Sequence, residues 1–129
     1  MPIKVKTIGH IAKDIQKVVQ ETAEALEMAC EVPHDLLMIV YPSEVVTTDD
    51  GDACWATFHE PKPDAAMHIK IAGRFPRKFF PTREHGFDYL VDSVCHEFAH
   101  YEQWRDKKPV VERGIAARTR KLIQECKGE

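Results

Sequence analysis

The sequence predicts an α+β fold: an N-terminal helix, a small three-stranded sheet, then two more helices packed on it. Three observations predict it. Apolar residues recur at helical spacing near both ends of the chain, and three short apolar runs bounded by turn residues lie between them. A length of 129 residues suits one domain with one core, so residues 1–129 are read as a single domain.

Residues 10–31 place Ile11, Ile15, Val18, Thr22, Ala25, Leu26 and Ala29 on one helical face, with Lys and Glu between them, and Pro33 ends the helix. LLMIVYP (36–42) is a short apolar run stopped by proline, which suits a buried strand. The turn-rich TTDDGD leads to CWATFHE (54–60), a second strand. After the PKPDA loop comes AMHIKIAG (66–73), where Met67, Ile69 and Ile71 alternate with His68 and Lys70. Polar residues on its second face suit a strand near a sheet edge. GRFPRKFFPTREH contains two prolines and is irregular. Helices are expected from Gly86 to Asp106 and from Val110 to Lys127, with Lys108-Pro109 at the turn.

Composition narrows the classes of function. Apolar residues make up 43% and charged residues 30%, an ordinary globular balance. A net charge of −3 points to neither nucleic acid nor an anionic membrane as a partner. The basic groups Arg74, Arg77, Lys78 and Arg83, and Arg113, Arg118, Arg120 and Lys121, read as solvated faces. No apolar run approaches the roughly 20 residues that span a bilayer. MPIKVKTIGHIAKDI has no apolar signal core, so no signal peptide is expected. Cys30, Cys54, Cys95 and Cys126 form no C-x-x-C pair and read as reduced thiols, which suits a cytoplasmic setting.

The informative stretch is VCHEFAHYEQW (94–104). On a helical wheel Phe87, Leu90, Val91, Val94, Phe98 and Tyr101 fall in one arc that faces the core. His96 and His100 lie on the opposite side, with Tyr89, Ser93 and Gln103 near them. Residues four apart stand one above the other, so two imidazoles can reach one metal ion at about 2.0–2.1 Å. Glu97 lies about 100° around the helix from His96. From there it can reach a water on the metal and act as general base. A catalytic zinc needs a third protein ligand and an open position.

Helix geometry narrows the choice of that ligand. If the last helix returns antiparallel after Pro109, a rise of about 1.5 Å per residue brings residues 112–118 level with His96 and His100. Glu112 is the only carboxylate in that window. Glu125 lies roughly 20 Å further along by the same rise, and Glu102 points toward the core side of its own helix.

HEFAH with a downstream helical glutamate resembles the zincin metallopeptidases, in particular small gluzincin-type domains on the scale of the SprT-like and ImmA-like enzymes. The resemblance covers residues 66–123: the strand AMHIKIAG, the motif helix, and VVERGIAARTRKLI. It implies a minimal zincin-like fold and one zinc ion per chain held by His96, His100 and Glu112, with Glu97 activating water to hydrolyse a peptide bond. It also implies a protein or peptide substrate extended along the strand at 66–72. Two departures stand out: only 11 residues separate His100 from Glu112, and no added zinc ribbon is present.

His85, Tyr89 and Arg83 are candidate oxyanion partners, and Asp92 could orient His96 from one turn away. Cys95 points away from His96, and His10, His34, His59 and His68 lack ligand spacing. Two competing functions remain. One is a non-catalytic zinc-binding scaffold that acts as a protein-binding or regulatory module; an intact Glu97 argues against it. The other has no metal and uses the basic residues 113–121 to contact nucleic acid.

Overall fold

The computed structural model describes residues 2–76 and 78–128. In chain order the elements are β1 (Ile3–Thr7), α1 (Lys13–Ala29), β2 (Leu36–Tyr41), β3 (Val46–Thr47), β4 (Ala53–Cys54), β5 (Ala56–His59), β6 (His68–Ala72), α2 (Arg83–Arg105) and α3 (Ile115–Cys126). The fold is α+β, as expected, but the sheet has four strands in the order β1-β2-β6-β5. β1, β2 and β6 run parallel, and β5 runs antiparallel to β6. A separate hairpin, β3–β4, packs against β5 and β6.

The core lies between the sheet and the helices. Leu36, Met38 and Val40 of β2 and Ile69 and Ile71 of β6 alternate onto the buried face. They meet Ile15, Val19 and Leu26 of α1 and Leu90, Val94, Phe98 and Tyr101 of α2. α3 adds Ile115 and Leu122 and packs against both other helices. The apolar arc read on α2 is therefore the face that holds the motif helix in place. Burial of a side chain such as Phe98 contributes on the order of 2–3 kcal/mol.

Five expectations are corrected. The sheet is not three-stranded, because the N-terminal IKVKT is also a strand. Its Ile3, Val5 and Thr7 alternate with exposed Lys4 and Lys6, and lysines suit the outer edge that β1 occupies. The run at 54–60 is broken at Trp55 into β4 and β5, which lie in different sheets. β6 is not an edge strand: Ile69 is paired with Met38 on one side and Phe58 on the other. α2 starts three residues earlier than Gly86, at Arg83, with the Thr82 hydroxyl accepting from the His85 N–H at 3.2 Å. Gly86 lies against Phe75, whose ring a Cβ at that position would overlap.

The last correction concerns the site. α3 begins at Ile115, not Val110, so Glu112 stands in the connection between the helices. Gly114 caps α3 at φ 82°, a conformation glycine adopts freely. The buried Glu102 carboxylate anchors the two helices by gripping Arg118 of α3 through two hydrogen bonds of 2.7 and 2.8 Å. That pairing leaves Arg118 committed within the fold. No described helix is long and apolar enough to cross a membrane.

Candidate metal centre and cleft

α2 is the scaffold of the site, and it is enclosed on more than its apolar side. His96 remains one-third exposed, but the His100 side chain is only 8% exposed and Glu97 only 12%. β5 covers Glu97, and the 107–114 connection carries Glu112 over the histidines. Glu112 Oε1 lies 2.9 Å from His100 Nε2, and its Oε2 lies 3.2 Å from His96 Nε2. The two imidazole rings stand 5.1 Å apart, inclined at 70°. One ligand atom from each of the three residues falls within 4.8 Å of the others, so the group can hold a metal ion.

The donor set fits zinc. Two imidazole nitrogens and a carboxylate are ordinary zinc ligands, and bonds near 2.05 Å at tetrahedral angles would hold neighbouring ligand atoms about 3.3 Å apart. The observed nitrogen–oxygen separations of 2.9 and 3.2 Å need little adjustment to reach that. Burial raises the proton affinity of Glu112, but the His100 hydrogen bond and the charge of both histidines outweigh it, holding the carboxyl below its usual range. A deprotonated carboxylate is the form that binds metal.

Gln103 was not singled out from the sequence beyond its place near the histidines, yet it organises the centre. Its Oε1 accepts from His100 Nδ1 at 2.9 Å, which commits Nδ1 and leaves Nε2, the nitrogen hydrogen-bonded to Glu112, as the one that would bind a metal. The same oxygen accepts from the Val111 N–H at 3.1 Å, and Gln103 Nε2 donates to the Val111 carbonyl at 2.9 Å. One carboxamide thus orients a candidate ligand and ties down the backbone next to another. Gln103→Leu is expected to weaken zinc binding by about 10–100-fold. Competition with a chromophoric chelator measures this, and an unchanged dissociation constant would rule out the role.

Glu97 occupies a different position from the triad. The Phe58 N–H of β5 donates to its Oε1 at 2.9 Å, and its Oε2 lies 3.9 Å from His96 Nε2. Burial pushes its proton affinity up, while the charges of His100 and His96 and the Phe58 N–H oppose that. The edge strand therefore fixes the carboxylate with one oxygen engaged and the other turned toward the triad.

Beside this carboxylate a cleft of ≈ 470 Å³ opens between the β3–β4 region and the N-terminal half of α2. His96, Glu97, Tyr89 and Asp92 all line it. The other two oxyanion candidates do not: Arg83 is held by Asp14 through two hydrogen bonds of 2.7 and 2.8 Å, and His85 caps back onto Thr82. No hydrogen bond joins Asp92 to His96 among the described residues. Cys95 is fully buried, as its direction on the helix predicts. All four cysteines are unpaired.

Compared with protein-family models, curated proteins and solved structures, the chain matches none of them. The functional reading therefore rests on the site itself.

Proposed function

We propose that the protein is a zinc-dependent metallopeptidase. The observation that carries this reading is the arrangement of Glu97: a buried carboxylate beside a His96–His100–Glu112 group, with one oxygen pinned by Phe58 and the other facing the triad at the mouth of a cleft. A site that kept metal only for structure would have no use for such a base and is ordinarily closed by four protein ligands. Here the described residues offer three.

A zinc ion held by His96, His100 and Glu112 would polarise the scissile carbonyl and lower the pKa of water at the site. Glu97 Oε2 takes a proton from the attacking water as the carbon–oxygen bond forms. The same oxygen then delivers that proton to the nitrogen as the carbon–nitrogen bond breaks. The Phe58 N–H holds Oε1 throughout and spares the carboxylate from reorienting. Tyr89, the one of the three oxyanion candidates that lines the cleft, would be the donor to the developing charge.

The substrate strand is reassigned with the sheet order. His68–Ala72 has neighbours on both sides, so an extended peptide would add to β5, the free edge beside Glu97. Alternate residues of that strand turn their backbone groups outward, and Ala56 shares the parity of Phe58. With the Phe58 N–H held by Glu97, hydrogen bonds to the remaining outward groups would supply affinity independent of sequence. The four unpaired thiols suit a reducing, cytoplasmic setting.

The test is metal-dependent cleavage. Protein stripped by a chelator is offered a mixed peptide library, then the same library after one equivalent of zinc, with products read by mass spectrometry. New termini are expected only after zinc is restored. Zinc-loaded protein that binds one ion and cuts no peptide in the library would leave the site a binding module.

A further inference from the structure

The cleft beside Glu97 has a charge pattern that the hydrolytic chemistry does not account for. Its walls are small or apolar at Val45, Ala53, Cys54 and Ala56, and aromatic at Trp55 and Tyr89. Asp92 adds a second carboxylate to that of Glu97, and among the described residues no lysine or arginine lines the cavity. Asp92 is only partly exposed and forms no ion pair with any described residue. It lies one turn before His96 on α2 and lines the same cleft as His96 and Glu97. Its charge is felt inside the cleft, where burial first and Asp92 second push up the proton affinity of the Tyr89 hydroxyl.

Building on the peptidase reading, we infer that this cleft is a specificity pocket for a lysine or arginine side chain flanking the scissile bond, with Asp92 as the group that selects it. The occupant follows from complementarity. A long basic side chain has an aliphatic stem suited to the alanine and valine walls and a cationic head that needs a carboxylate. Trp55 and Tyr89 stand edge to face, with ring centroids 4.6 Å apart, and offer aromatic surface to a cation passing them. An acidic side chain would meet the carboxylates of Asp92 and Glu97. A purely apolar one would leave Asp92 desolvated without a partner. Asp92 acts on selection and takes no part in proton transfer.

The test separates this inference from the peptidase reading by measuring binding as well as turnover. Two short peptide hydroxamates, which hold zinc through the hydroxamate, differ only in lysine or norleucine at the residue next to it. On zinc-loaded native protein the lysine compound is expected to bind about tenfold more tightly. In Asp92→Asn the ratio should fall to near one, through loss on the lysine compound. A native ratio of one, a norleucine preference, or a lysine preference that survives in Asp92→Asn would each overturn the inference. Lysine selectivity in a protein that cuts no peptide would uphold the pocket and remove the peptidase reading. Failure of both hydroxamates to bind would remove both.

Discussion

Glu97→Gln is expected to lower kcat by about 10²–10⁴-fold while zinc content and fold stay as they are. In barrier terms that is about 2.7–5.5 kcal/mol. The substitution is nearly isosteric, and the amide oxygen can still accept the Phe58 N–H that now holds Oε1. What is lost is the basic oxygen facing His96, because an NH₂ group there cannot take a proton from water. Burial raises the Glu97 pKa, so the charged form is less favourable in the folded chain than in the unfolded one at neutral pH. A neutral amide removes that cost, and the melting temperature should be unchanged or higher. Single-turnover cleavage, elemental analysis and a thermal melt on the same preparation make the measurement. Undiminished cleavage would exclude Glu97 as the base.

Glu112→Ala is expected to weaken zinc binding by more than the roughly 100-fold that marks the upper range for groups supporting a ligand indirectly. Activity at limiting zinc should fall with it. The fold should survive. The Glu112 side chain is 76% exposed and stands in a connection, whereas the elements that carry the histidines are held by Leu90, Val94 and Phe98 packing on the sheet. The metal-free variant should therefore melt close to the metal-free native protein, within the small range usual for surface substitutions. Comparing four samples, native and variant with and without zinc, distinguishes a lost ligand from a collapsed site. If zinc affinity is untouched, Glu112 is a neighbour of the metal and the third ligand lies elsewhere.

The readable parts of this site are those encoded at short range. His96 and His100 share a helical face because they are four residues apart, and the arc from Leu90 to Tyr101 identifies which side of the helix is anchored. Glu112 was reached by measuring along a returning helix. It arrives at the right level even though it lies before the helix starts, since the connection from Lys107 to Gly114 is pinned by Gln103. Glu112 is level with the histidines, but the connection and not a helix carries it there. The same wheel placed His100 opposite the core, which is correct, but that side is covered as well.

Other features depend on partners distant in the chain. Glu97 is oriented by Phe58 across 39 residues, and no periodicity within either segment encodes that contact. β5 lies at the edge and β6 inside because β6 pairs with β2 on one side and β5 on the other, partners that its own alternating pattern does not name. Helical spacing and apolar patterning thus specified a motif helix with two histidines, an adjacent glutamate and an anchored back, because those relations are set by a 3.6-residue turn. Which strand borders the cleft and how the Glu97 carboxylate is turned were set by long-range pairing. Backbone hydrogen bonds and packing between remote segments form only when the whole sheet and its helices assemble.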